Sequence, residues 1–363
     1  MALISNGKVV DPKFSTTPLI INGDMSVSQR GTSFSSQSGS AYHLDRFKTL
    51  ASSLGTFTIS QSTTVPTGQG FAKSFKLDCT TADASPSAGD TLQFVQYIEG
   101  QNLQSLKKGT SSAEAVTVSF WVRSNKTGTY TLELYDNDNS RQISKTYTIS
   151  SADTWEKKTV NFAGDTTGAL DNDNALSFAV QWWLGAGSNS TSGTLSETWT
   201  SVTTANRVSS SQVNIADNTD NEWYITGVQM EIGTFDTNTI PSFPFESAEN
   251  NLRRCLRYYE LLASGNAKIL GFGGTYNANA PAYVAYYHSK RATPSLDEVD
   301  ATNYYRLYAS GVEYKYNVSS QFFQATPTQA MIINGNAGTV ADDKVGFFDT
   351  INAGAYIAFD AEL

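Results

Sequence analysis

The side chains in this sequence best suited to chemistry are aromatic rings and short polar groups. A sugar ring has apolar C–H faces that stack on Trp and Tyr, and its hydroxyls need Asn, Asp, Gln and Ser partners. The 363 residues include 6 Trp and 18 Tyr. Period-two alternation places Trp121 and Tyr135 on the face opposite Val118 and Leu132, and Trp183 opposite Phe178 and Val180. Trp199 sits in a long polar stretch. Burial inside a sandwich is the competing role for each Trp. Eleven of the 18 tyrosines fall between Tyr258 and Tyr316. Among them Tyr283, Tyr286, Tyr287, Tyr304, Tyr305 and Tyr308 are candidate ligand contacts. An adjacent pair such as Tyr286 and Tyr287 puts one ring on each face of a strand, so one of each pair is expected at the surface or at a subunit contact, where Tyr is enriched.

Other chemistries find fewer ligands. Glycoside hydrolysis needs two carboxyl groups roughly 5–10 Å apart. Glu99 and Glu231 both close a strand and could meet at one sheet end, but structural pairing with Arg30, Arg46 or Arg123 competes. His43 and His288 have no G-x-S-x-G companion. With 2 His and 2 Cys, far apart, a Cys/His zinc site lacks ligands. A Cys79–Cys255 bridge is the alternative to two buried thiols. Asp136-Asn-Asp-Asn-Ser140 begins like an EF-hand loop, but Arg141 stands where Gly is needed and Tyr147 where Glu is needed. It and Asp171-Asn-Asp-Asn174 read as hairpin tips, with a structural Ca²⁺ as the alternative. No other cofactor is implied.

Composition narrows the field further. Charged residues make up 16% and the net charge is −9, so no basic field exists to attract nucleic acid. No apolar run approaches the roughly 20 residues of a membrane helix, and membrane insertion is not expected. The segment 1–14 has no charged-then-apolar layout, so Sec export is not expected either.

The elements that must position these residues are strands. Alternation predicts them at Asp45–Lys48, Thr56–Gln61, Phe71–Cys79, Thr91–Glu99, Val116–Val122, Tyr130–Tyr135, Lys145–Ile149, Trp155–Phe162, Leu176–Leu184 and Trp223–Ile232. Ten short strands with Gly/Asn/Asp/Ser turns predict an all-β, two-sheet jelly-roll sandwich over 19–246. Residues 1–18 form a polar lead with Pro12 and Pro18 as breakers. Residues 185–222 read as a long irregular excursion. The stripe Leu252, Cys255, Leu256 and Tyr259 predicts a connecting helix over 247–262, capped by Ser247 and ended by Gly265. Short strands then return over 263–363, forming a second, small C-terminal β domain.

Several phrases carry a resemblance. They are Ile21–Met25, Gln29–Phe34, Tyr42-His-Leu-Asp-Arg-Phe47, Gln96-Tyr-Ile-Glu-Gly-Gln-Asn102, Ser119–Lys126 and Thr154–Lys158. Further on come Thr226-Gly-Val-Gln-Met-Glu-Ile-Gly233, Cys255-Leu-Arg-Tyr-Tyr259 and the ending Tyr356–Leu363. In this order they resemble tail-fibre and related virion proteins of tailed bacteriophages, particularly those of marine bacteria and cyanobacteria. The resemblance implies a carbohydrate-binding-module-like jelly-roll, a C-terminal tip domain and a homotrimer, made in the bacterial cytoplasm and carried on the virion. It implies attachment to a host-surface glycan or protein, without enzymatic activity, and anchoring to a tail or capsid protein through residues 1–18. Long fibres carry a shaft that this chain lacks. That leaves open a short fibre or tip adhesin, a head-attached capsid fibre or decoration protein, and, as a third reading, a polysaccharide depolymerase.

Overall fold

The computed structural model describes residues 3–5, 8–10, 18–277, 280–299, 301, 303–316, 320–334 and 344–363. Two compact units result: residues 1–251 with Leu363, and residues 252–362. Within the expected attachment lead, β1 (Leu3–Ser5) and β2 (Lys8–Val10) pair as a hairpin. Residues 11–17 of that lead lie outside the described residues.

The first unit is an antiparallel jelly-roll sandwich of thirteen strands. They are β3 (Ser33–Gln37), β4 (Ala41–Tyr42), β5 (Phe47–Ser52), β6 (Thr56–Ser62), β7 (Ser74–Thr81), β8 (Thr91–Glu99), β9 (Val116–Ser124), β10 (Gly128–Asp136), β11 (Arg141–Ile149), β12 (Glu156–Phe162), β13 (Leu176–Ala186), β14 (Thr200–Ser201) and β15 (Glu222–Ile232). One sheet has seven strands in the order β14-β11-β10-β13-β8-β5-β4, and the other six in the order β12-β9-β15-β7-β6-β3. The chain passes back and forth between them, so sequence neighbours such as β8 and β9 lie in different sheets.

Alternation explains the core. Phe94 of β8 meets Phe47 at 4.8 Å, Phe75 at 4.4 Å, Trp182 at 5.8 Å and Trp223 at 5.5 Å. Phe120 of β9 meets Trp182 edge-on at 5.6 Å. These rings come from both sheets and are buried. Apart from the stacked Phe47–Phe94 pair, their tilted and edge contacts suit the ring quadrupole. The other residues of the same strands face outward, and they build the site.

The region 187–221 contains α1 (Ser188–Thr191), three short 3-10 or strand pieces and extended backbone. It lies over the β10–β11 part of the seven-stranded sheet. Ser144 N donates to Ser196 O, Ser144 Oγ to Arg207 O, and Thr131 N to Gln212 Oε1. These bonds hold an otherwise irregular segment in one place.

The predicted helix is shorter than its apolar stripe suggested. α2 (Ala248–Leu256) starts where expected, with Ser247 Oγ accepting from Asn250 N at 3.2 Å. It ends at Leu256, and residues 259–264 form a strand rather than the last turns of the expected 247–262 helix. Tyr259 pairs with Asp360, and Tyr258 and Tyr259 are both buried. Pairing with a distant strand overrides the local helical period there. Leu252, on the apolar stripe, is exposed.

The second unit holds β16 (Tyr259–Ser264), β17 (Ile269–Asn277), β18 (Ala280–Tyr286), β19 (Ser295–Glu298), β20 (Tyr305–Ala309), β21 (Val312–Tyr316), β22 (Ser320–Phe323), β23 (Gln329–Asn334), β24 (Val345–Thr350) and β25 (Tyr356–Asp360). They make a three-stranded sheet, β16-β25-β19, and a seven-stranded one, β21-β20-β24-β17-β18-β23-β22. Leu307, Ile332, Phe348, Ile357 and Phe359 fill their core. The opposite face of the larger sheet is apolar yet open. Phe272 and Val345 are each 75% exposed and Tyr286 is 72% exposed.

Candidate functional site: an aromatic slot on the outer sheet face

The outward rows of the seven-stranded sheet follow from register. Tyr135 of β10 lies opposite Ala179 of β13, and Ala179 opposite Tyr97 of β8. Two strand spacings of about 4.8 Å separate the tyrosines, roughly 9.6 Å in all. The residue between them is the smallest with a side chain, so the floor stays low. The next row places Gln181 beside this floor, and Gln93 lies one row further along β8. Tyr97, Tyr135, Ala179, Gln181, Gln93 and Arg207 line an open hollow of about 250 Å³. That is just under the roughly 300 Å³ at which enclosed small-molecule pockets begin. It is the size of an open slot for a ring or two.

Electrostatics fix the walls. Glu133 is fully buried and accepts from Arg207 Nε at 2.8 Å, Arg207 Nη2 at 2.9 Å and Trp183 Nε1 at 2.8 Å. The guanidinium lies 5.1 Å from the ring centres of both Tyr135 and Trp183. Burial alone would lower the Arg207 pKa, and Glu133 outweighs it, so the cation is held above its usual range. Burial pushes the Tyr97 phenol up, with Arg207 opposing. Lys48 lies 5.6 Å over Tyr97 and does not line the hollow. The wall therefore carries a compensated ion pair, and its face toward solvent is near neutral.

One polar atom at the edge of the hollow is unsatisfied. Among the described residues Gln93 Oε1 is buried without a hydrogen-bond partner. Such an atom costs free energy unless a ligand or water reaches it. Two aromatic walls, amide groups and a guanidinium donor are what a neutral sugar needs. Two carbon contacts of about 4 Å, one on each face of a sugar ring, take up some 8 Å of the span between the walls.

The expected site residues are distributed unevenly. Tyr135 lines the slot. Trp183 faces outward as predicted but is buried beneath Arg207, so it braces the wall and offers no stacking surface. Trp199 is pinned: Nε1 donates to Ala163 O at 2.8 Å, Phe178 lies 6.1 Å away and Lys108 Nζ sits 5.2 Å over the ring. It closes a core edge. Trp121 is half-buried on the other sheet. In the second unit Tyr283 is buried on Phe348 at 4.6 Å, so it is a core residue. Tyr287 and Tyr305 are buried too, their hydroxyls donating to Thr326 O and Tyr356 O. Tyr304 packs against the same core, and Tyr308 is half-buried with Arg306 over its ring at 5.5 Å. Only Tyr286 among those six is well exposed. Tyr97, Gln93, Gln181 and Arg207 were missed, although alternation within the predicted strands Thr91–Glu99 and Leu176–Leu184 already placed the first three outward.

Glu99 and Glu231 lie near the ends of strands in different sheets. Glu99 is fully buried and accepts from Gln101 Nε2 at 2.6 Å. Glu231 lines a different, shallow hollow with Asp24 and Glu246, and burial raises its pKa. At the Asp136 hairpin tip the oxygens surround a side-chain ammonium. Lys108 Nζ contacts Asp136 Oδ2 at 2.5 Å, Asp165 Oδ2 at 2.9 Å, Thr167 O at 3.0 Å and Gly168 O at 2.8 Å. Lys108 thus occupies the place considered for Ca²⁺. Asp171 and its neighbours form a turn, with Asp171 N donating to Asp138 Oδ2. Cys79 and Cys255 are buried and form no disulfide among the described residues, and burial pushes the Cys79 thiol up to about 11. No described helix is long and apolar enough to cross a membrane.

Comparison with protein-family models and with curated proteins finds no match by sequence. By structure the chain is similar to the enzymatically active domain of tailspike protein 4 of bacteriophage CBA120. The identity is 14% and the TM-score 0.32, over 59% of this chain and 21% of that one. It is also similar to the family 11 carbohydrate-binding module of Clostridium thermocellum, in complex with a β-1,3-1,4-mixed-linked tetrasaccharide. There the identity is 8% and the TM-score 0.28, over 56% of this chain and 98% of that one. A third is the C-terminal family 22 carbohydrate-binding module of a Clostridium thermocellum xylanase, at 13% identity and a TM-score of 0.27, over 56% and 98%. At these scores no residue role transfers to this chain.

Proposed function

We propose that this chain binds glycans without transforming them, through the slot between Tyr97 and Tyr135, and that it does so as a virion fibre protein attaching a phage to its host. The observation that carries the first part is the row Tyr135–Ala179–Tyr97, with Gln181 and the Arg207 guanidinium lining the same hollow. The phrases that resemble those of tail-fibre proteins support the second part. Weak single-site contacts gain useful strength when several copies act together. The open apolar face around Phe272, Val345 and Tyr286 is what a homotrimer would cover, and light scattering of the purified chain tests that assembly.

The test of binding is a titration of neutral oligosaccharides against the wild type and the Tyr97→Ala/Tyr135→Ala double variant, with circular dichroism as the folding control. The wild type binds in the micromolar to millimolar range and the variant loses at least tenfold. Equal affinity in both, or no neutral glycan bound by the wild type, overturns the reading. Release of shortened oligosaccharide from host polysaccharide would overturn the non-catalytic part. Antibody against the chain should block infection if it is the host-attachment protein.

A further inference from the structure

The outer face of the six-stranded sheet, on the far side of the sandwich from the slot, carries a second aromatic surface. Arg123 of β9 lies opposite Tyr224 of β15, and Tyr224 opposite Lys76 of β7. Arg123 and Lys76 sit 4.9 and 5.6 Å over the Tyr224 ring, and Trp155 meets that ring edge-on at 6.2 Å. In the next row Lys157 of β12 lies directly opposite Trp121, and Trp121 opposite Thr226.

The cations of this face differ in one respect. Lys76 pairs with Glu222 at 2.6 Å and Arg123 with Asp153 at 2.8 Å. The Lys157 side chain has neither an acidic partner nor a hydrogen bond among the described residues, although it is half-buried. Burial depresses its pKa, the mark of an ammonium that has lost water without gaining an anion. It stands next to a half-buried indole, in a chain whose net charge is −9. Side chains directly opposite on antiparallel strands have Cβ atoms about 5 Å apart. A sugar ring stacked on Trp121 would therefore place a ring carboxylate within reach of the Lys157 ammonium.

We propose that Trp121 and Lys157 form a second saccharide site, selective for sugars of the uronic-acid class. The indole supplies the stacking surface and Lys157 the counter-charge. The site is independent of the Tyr97–Tyr135 slot, whose own charges are compensated, so the two faces would read different sugars: neutral on one and acidic on the other.

The experiment uses the full chain carrying Tyr97→Ala and Tyr135→Ala, which removes the first slot. Oligogalacturonate and a neutral cello-oligosaccharide of equal length are titrated by calorimetry at 50 and 500 mM NaCl, with tryptophan fluorescence followed in parallel. The acidic oligomer is expected to bind and the neutral one not. Adding Lys157→Met should weaken binding about tenfold and remove its salt dependence, because the charge-assisted contact is gone. Adding Trp121→Ala should abolish it. No binding of oligogalacturonate, equal binding of the neutral oligomer, or unchanged affinity in the Lys157→Met protein overturns the proposal. Failure here leaves the wild-type titration of neutral sugars untouched.

Discussion

Replacing Arg207 by Met separates the wall of the slot from the rest of the sandwich. Arg207 gives Glu133 two charge-assisted bonds at 2.8 and 2.9 Å, and Glu133 is fully buried. Removing one partner of a buried pair leaves an uncompensated charge and costs about 3–5 kcal/mol. The Arg207 side chain is 19% exposed, and Glu133 keeps one donor, Trp183 Nε1 at 2.8 Å. Both facts favour the lower end, about 3 kcal/mol. For a unit of this size that lowers Tm by about 6–12 °C. Removing both charges in Arg207→Met/Glu133→Gln should recover about 2 kcal/mol relative to the sum of the single variants. Urea unfolding followed by tryptophan fluorescence measures all four proteins. A loss below about 1 kcal/mol for Arg207→Met, or strict additivity in the cycle, would refute the assignment of Glu133 and Arg207 as a coupled pair. The double variant should also lose affinity for neutral sugars despite its recovered stability, because it has lost the guanidinium wall.

Two further outcomes follow from buried groups. His43 is buried 5.0 Å from the Phe34 ring, and burial, then Arg30, lowers its pKa to about 4. Unfolded His titrates near 6.5, so the folded state binds fewer protons between these values. Stability is therefore full above about pH 6.5 and falls as pH drops toward 4, by up to roughly 3 kcal/mol. His43→Gln should flatten that part of the urea-midpoint profile; an unchanged slope would count against a neutral buried His43. Trp199→Phe should cost about 1 kcal/mol through the lost bond to Ala163 O. It should leave glycan affinity unchanged, and a tenfold affinity loss in that variant would move the binding site to the long loop.

Much of the sandwich was legible because strand periodicity is a local property. The outward positions of Trp121, Tyr135 and Trp183 came directly from it. What covers an outward residue is not local. Trp183 is buried because Arg207, far along the chain, is bonded to Glu133 on the neighbouring strand, and no window around Trp183 contains that fact. The slot was half-visible: Tyr97 and Gln93 face outward by the same alternation, but their pairing with Tyr135 across Ala179 depends on strand order, which crosses from β10 to β13 to β8. The helix end failed for a related reason. The stripe from Leu252 to Tyr259 satisfies a helical period, yet Tyr259 gains more by pairing with Asp360. Tyrosine spacing misled in the second unit, where Tyr283, Tyr287 and Tyr305 fill a core that is otherwise rich in small Ala side chains.

The Lys108 cage has a consequence for the conditions this loop can tolerate. An ammonium tethered by its own side chain holds together the Asp136 tip, Asp165 and the Thr167–Gly168 carbonyls. A diffusible ion in that place would leave whenever its bulk concentration fell. This counter-charge travels with the polypeptide, so the strand connection it ties down keeps its shape in chelators and in dilute, ion-poor water alike.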